Sequence, residues 1–168
     1  MGRISRILKH RWHDETDTQR ALGPAALGRI EQRIAASERL HGGEIRVCVE
    51  AGLPLSYLWR DATPRERAIA MFGKLRVWDT EANNGVLIYL LLAEHAIEIV
   101  ADRGVARHVP ADFWQQIVSG LREEFRAGRF EAGLMRAIDS IEVLLVEHHA
   151  HAGDAANPNE LPNRPHLI

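Results

Sequence analysis

Asp79-Thr80-Glu81-Ala82-Asn83-Asn84-Gly85, the apolar run Val86–Ala93 behind it, and Ala101-Asp102-Arg103-Gly104 further on decide how this chain folds. Val86 to Ala93 is unbroken apolar sequence of strand length, Glu94-His95 reads as a turn, and Ala96 to Val100 alternates. So short a link permits only antiparallel pairing, so the two runs form a hairpin. In a hairpin the start of the first strand lies beside the end of the second. Asp79, Asn83 and Asn84 are thereby brought near Asp102 and Arg103, a set of oxygen ligands and one arginine at one sheet edge.

Working outward, Glu44 to Glu50 alternates, with Ile45, Val47 and Val49 on one face and Glu44, Arg46, Cys48 and Glu50 on the other. That pattern predicts a half-buried strand. Before it, Pro24 opens a helix that runs to about His41 on an Ile30–Ile34 stripe and ends at Gly42-Gly43. Residues 51–62 read as a loop whose Tyr57 and Trp59 cover the sheet edge. Thr63-Pro64-Arg65-Glu66 is a capping box with proline at the first helical position, and Ala68, Met71, Phe72 and Leu75 form the buried stripe. Strand, helix and strand in one sheet imply a right-handed crossover and a parallel pair, so the hairpin makes the sheet mixed. Past a loop through His108, Pro110 opens a helix carrying Trp114, Ile117, Leu121 and Phe125, which Gly128 stops. A last helix follows from Phe130, with Leu134, Ile138, Ile141 and Leu145 inward. The fold class is α/β: an αβα sandwich with a small mixed β-sheet flanked by about four helices.

At 168 residues, 46% apolar and 26% charged, the chain is one globular domain with a sizeable core. A net charge of −2 excludes a general nucleic-acid binder. The single cysteine, Cys48, reads as a buried strand residue. Basic residues interrupt every apolar stretch near the N-terminus, and Val86–Ala93 is too short to span a bilayer, which points to a soluble, cytoplasmic protein. Residues 1–20 read as a basic amphipathic arm with Arg3, Arg6, Lys9 and Arg11 around Ile4, Leu8 and Trp12. These three apolar residues are the candidate contact for an anionic membrane surface, on an arm whose removal leaves the domain's stability almost unchanged. The alternative is that the Trp12 face docks on its own domain or frays. Asp14, Glu15 and Asp17 read as solvated. The domain proper spans 21–148, and 149–168 is a Pro- and Asn-rich tail expected to pack loosely or not at all.

The entry Asn83-Asn84-Gly85-Val86-Leu87 and the exit Asp102-Arg103-Gly104-Val105 resemble those of the TPM domain family. Phe113-Trp114 and the Phe125–Phe130 junction resemble it too, and Asn159-Glu160-Leu161-Pro162 is similar to the ending of a soluble bacterial branch. The likeness covers residues 24 to 148. It implies an αβα sandwich, and members of the family have been linked to phosphatase activity, calcium binding and assembly or repair of membrane complexes. The commoner family architecture adds a signal peptide and a transmembrane segment or glycine-rich tail, neither of which is read here.

The chemistry follows from the sheet edge. A first strand parallel to the Val86 strand starts there as well, so Glu44 joins Asp79, Thr80, Asn83, Asn84, Asp102 and Arg103, with the helix opened by Pro110 starting nearby. Asp79, Asn83, Asn84, Asp102 and Glu44 are the candidate metal ligands, since carboxylate and amide oxygens suit Ca²⁺ or Mg²⁺. Arg103 and Thr80 are the candidate anion contacts. The leading reading is a divalent-cation-binding module serving a protein partner or a membrane-associated complex. The alternatives are a metal-assisted phosphatase for phosphomonoesters at the same rim, with no catalytic residue assigned, and a peripheral membrane adaptor acting through the arm. Against all of these stands plain turn chemistry, with Asx turns at Asn83-Asn84-Gly85 and Asp102. His148, His149 and His151 form a histidine run suited to a transition metal or to the negative end of the last helix.

Overall fold

The computed structural model describes residues 2–150 and 159–168. Its elements are α1 (Arg3–Arg11), α2 (Glu15–Ala21), α3 (Pro24–Glu38), β1 (Glu44–Glu50), α4 (Leu55–Trp59), α5 (Pro64–Lys74), β2 (Gly85–Leu91), β3 (Ala96–Ala101), α6 (Arg103–Ala106), α7 (Ala111–Arg126), α8 (Phe130–His148) and β4 (His166–Leu167). The sheet order is β3-β2-β1-β4. β1 runs parallel to β2 and to β4, and β2 pairs antiparallel with β3, so the mixed sheet and its hairpin are as read.

Layering follows from alternation along the strands. Ile45, Val47, Val49, Val86, Ile88 and Leu90 face α3, α7 and α8. Cys48, Leu87, Tyr89 and Leu91 face α4, α5 and Leu161 of the tail. An αβα sandwich results, with more helical pieces than the expected four. The Thr63–Glu66 capping box starts α5 as the sequence predicts. Gly128, at φ +72°, ends α7, and Phe125 packs on Phe130 with ring centroids 4.8 Å apart.

Four expectations are corrected. β1 is buried along all seven residues, because α4, α5 and the tail cover the face that carries its charges. Residues 51–62 are no simple loop, since α4 forms within them. Asp14 and Asp17 are a capping box that starts α2, so this acidic run is structural. The tail, as far as it is described, is ordered against the domain. His166 and Leu167 pair with Cys48 and Val49, and Ile168 exchanges backbone bonds with Val49 (3.0 Å) and Ala51 (2.7 Å).

Glu50, at the end of β1, has a charged counterpart on α5. Arg67 of α5 donates to both carboxylate oxygens of Glu50 at 2.7–3.1 Å, and the Tyr89 hydroxyl donates to the same group at 2.6 Å. Burial alone would lower the Arg67 guanidinium, but its bonds and proximity to Glu50 hold it above the usual range. The Arg60 and Arg67 guanidiniums both lie over the Tyr57 ring, 4.6 and 4.8 Å from its centroid, while Trp59 is exposed. Burial pushes the Cys48 thiol up to about 12, which makes it an inert core residue.

Glu38, buried at the end of α3, accepts the Ile45 N–H at 3.0 Å. Burial, together with the charge of Glu44, pushes its carboxyl up to about 8 from an ordinary 4.5, against the lowering effect of that bond. The folded protein therefore holds this proton more tightly than the unfolded chain. Its stabilisation is fully present below about pH 4.5 and is lost as pH rises through about 8. Melting temperatures measured from pH 5 to 9 should fall toward the alkaline end, and Glu38→Gln should flatten that decline. Identical slopes in the two proteins would rule out Glu38 as the linked group.

Candidate functional site

The register places the start of β1 and β2 and the end of β3 on one edge: Glu44 stands opposite Gly85, and Val86 opposite Ala101. Backbone bonds knit the turns across it. Asp102 N–H donates to Gly85 O (2.8 Å), Gly104 N–H to Asn83 O (2.9 Å), and Glu44 N–H to Asn84 O (3.3 Å). Asn83 sits in the left-handed region at φ 52°. A Cβ on Gly104 would run into the Asn83 and Ala82 carbonyls, so only glycine permits this approach.

Each polar side chain of the rim divides between structure and what is left over. Asn84 is buried; its N–H donates to the Thr80 hydroxyl (3.1 Å) and its Nδ2 to Gly42 O (2.6 Å). Asp102 caps α6, with Oδ1 accepting from Arg103 N–H at 2.6 Å. Asn84 Oδ1 and Asp102 Oδ2 remain, both buried and without a partner among the described residues. Leaving such an oxygen unsatisfied costs about 1–3 kcal/mol.

The other predicted ligands are placed differently. Asp79 is exposed and paired with Arg76. Thr80 is buried and spends its hydroxyl on Asn84. Glu44 is fully buried, and its two oxygens accept from the N–H groups of Glu160 and Leu161, each at 3.1 Å. Arg103 is exposed and, with Ala82, Asn83, Gly104 and Arg107, lines a cavity of about 300 Å³. The helix starting at this rim is the short α6.

Sequence reasoning missed two contributors, Arg107 and His108, in the turn that directly follows α6. The His108 ring stacks on His148 at 5.3 Å and meets His149 edge-on at 6.4 Å. Burial, with the nearby His108 and His148, lowers the His149 imidazole despite its bond to the Gly104 backbone. No periodicity links position 108 to the end of α8, so no signal in the sequence brings them together. His151 lies outside the described residues. Among the described residues, no group of three or more His, Cys, Asp or Glu is arranged to hold a metal ion.

The N-terminal arm is docked rather than free. Arg6 reaches Glu94 (2.6 Å), Asp61 (2.7 Å) and Ala62 O (2.7 Å). Buried His10 accepts the Leu53 N–H on Nδ1 (2.9 Å) and faces Glu94 with Nε2 (2.8 Å), which fixes a neutral ring with its proton on Nε2. Ile4, Leu8 and Trp12 point away from these contacts and are 76%, 55% and 84% exposed.

A model of the TPM domain matches residues 16–144, well over half of the chain. The chain belongs to the TPM domain family. Among solved structures it is similar to the BA42 protein of the psychrophilic bacterium Bizionia argentinensis, at 27% identity and a TM-score of 0.75, over 88% of this chain and 95% of that one. It also shares its fold with the N-terminal domain of a Porphyromonas gingivalis protein, named PgR37A as a structural genomics target. There the identity is 22% and the TM-score 0.61, over 77% of this chain and 82% of that one. A comparison with the curated proteins found no match. In this TPM domain the family-like entry Asn83–Leu87 and exit Asp102–Val105 are the two turns that carry the unpartnered oxygens.

Proposed function

We propose that this TPM domain is a divalent-cation-binding module serving a protein partner or a membrane-associated complex. The observation that carries the reading is the pair of buried, unpartnered oxygens, Asn84 Oδ1 and Asp102 Oδ2, on one sheet edge. They are hard donors suited to Ca²⁺ or Mg²⁺. With one carboxylate and one amide the site would complete its shell with water, as Mg²⁺ prefers, and its affinity would sit at the weak end, about 10⁻⁴–10⁻³ M. Glu44 and Asp79 would support the rim through the tail and the preceding turn. Because a native-state ligand stabilises by mass action, 10 mM cation against a Kd of about 1 mM adds about 1.4 kcal/mol. That corresponds to a rise of about 3–5 °C in Tm. Asp102→Asn, which keeps the α6 cap, should abolish the rise. A rise of the same size in the variant, or none in the wild type, removes the cation reading.

A second reading at the same rim is metal-assisted hydrolysis of phosphomonoesters. It is supported by the cavity that Ala82, Asn83 and Gly104 of the same turns line, where Arg103 and Arg107 are exposed and enter no ion pair among the described residues. Guanidinium groups suit phosphate, and a cation would polarise its oxygens. Release of p-nitrophenol from p-nitrophenyl phosphate in the presence of Mg²⁺ should fall at least tenfold in Arg103→Ala while the cation-induced Tm shift persists. Absence of turnover in the wild type eliminates this reading and leaves the first intact.

A third reading concerns the arm. Among the described residues no helix is long and apolar enough to cross a membrane. The exposed ridge of Ile4, Leu8 and Trp12, beside Lys9 and Arg11, supports peripheral contact with an anionic bilayer at the cytoplasmic side. Because Arg6 and His10 are built into the domain, the informative change is Leu8→Gln with Trp12→Gln rather than deletion. Sedimentation with anionic vesicles should carry down the wild type and not the double variant, at equal Tm. Equal sedimentation of both discards membrane contact through this ridge.

A further inference from the structure

Residues 159–168 are held on the domain in an unusual way. Glu44 and Arg46 lie two positions apart on β1, both buried, and both read the backbone of the tail. The Glu44 carboxylate takes the N–H groups of Glu160 and Leu161. Arg46 donates to the carbonyls of Pro162 and, at 2.5 Å, Arg164. The sheet edge then continues the recognition: β4 pairs with Cys48 and Val49, and Ile168 bonds Val49 and Ala51. Among residues 159–165 only Leu161 and Pro165, four positions apart, are buried. Glu160, Pro162 and Arg164 are exposed.

Arg46 makes this more than a folded-down terminus. Among the described residues it has no ion-pair partner, and its Nε has no acceptor. A buried guanidinium without a counter-ion is strongly destabilising unless hydrogen bonds satisfy it. The two tail carbonyls supply the bonds it makes here. Main-chain bonds for affinity and alternate pockets for specificity are the features of peptide recognition by strand addition. Nothing in such recognition requires the strand to be covalently attached; the tether only raises its effective concentration.

We propose that the outer edge of β1 is a docking groove for an extended peptide with an aliphatic residue and a proline four positions on. Residues 159–168 occupy it within one chain, and the same segment of a second copy occupies it at high concentration, giving a tail-exchanged dimer. Reciprocal exchange preserves every contact between the tail and β1, so the two arrangements differ only through the tether and the entropy of association. The groove touches the rim, because Glu44 N–H bonds Asn84 O and the Glu160 carboxylate accepts the Glu81 N–H. Its occupancy does not depend on the cation reading.

The test uses the whole chain with a protease recognition sequence placed within residues 151–158. After cleavage, the 159–168 fragment should co-elute with the domain. It should then exchange with a labelled synthetic Asn159–Ile168 peptide, seen as a rise in fluorescence anisotropy. A competitor peptide with Leu161→Asp and Pro165→Asp should compete at least tenfold less well. The uncut chain should show a dimer by analytical ultracentrifugation that grows with concentration and is lost when excess synthetic peptide is added. Departure of the fragment from a domain that stays folded would overturn the proposal, as would unfolding on cleavage, which makes the tail an integral strand. An uncut chain that remains monomeric up to millimolar concentration overturns its second-copy part.

Discussion

β1 is a central strand buried on both faces, and it carries Glu44, Arg46 and Glu50. Buried charge is tolerated only where hydrogen bonds or opposite charge replace water. That constraint organises one whole side of the molecule. Glu50 requires Arg67 and Tyr89, which sets how α5 lies across the sheet. Glu44 and Arg46 require peptide groups, and the tail brings them. The opposite face of the same strand is purely aliphatic and accepts α3, α7 and α8 without such conditions. One side of the sandwich is thus set by apolar packing, the other by the satisfaction of charge.

The rim at the start of β1 obeys the same accounting with a different outcome. Its turns use most of their polar groups on one another, as turn residues do. Thr80 serves Asn84, Asn84 serves Gly42, and Asp102 serves α6. Two oxygens are left over, and Arg103 of α6 and Arg107 just after it line a cavity with no carboxylate paired to them among the described residues. This surplus lies in the entry and exit turns that resemble the TPM family's, and the cation and phosphatase readings both start from it.

Much of the fold was legible because it rests on local rules. The hairpin followed from the short Glu94-His95 link, α5 from its capping box, and the parallel crossover from strand-helix-strand order. The convergence of Asn84 and Asp102 on one edge was also legible, since register alone requires it. What escaped had long-range causes. The alternation of β1 looked half-exposed because charges at Glu44, Arg46 and Glu50 imitate a solvent face. Glu44 looked like a ligand because nothing local says that Glu160 and Leu161 come to claim it. The tail looked loose because prolines and asparagines resemble disorder when their partners are more than a hundred residues away. His108 and His149 met only because α6 and the end of α8 pack at the same edge.

By itself, then, the sequence determined the elements whose signals are periodic or capped, the mixed sheet they must form, and the set of oxygens at its edge. These are consequences of neighbouring residues and of strand direction. Only the tertiary structure decided which of those oxygens stay unpartnered, that the arm docks through Arg6 and His10, and that the tail closes the sheet as β4. Those outcomes depend on which distant backbone groups arrive to satisfy a buried charge. No local pattern encodes that arrival.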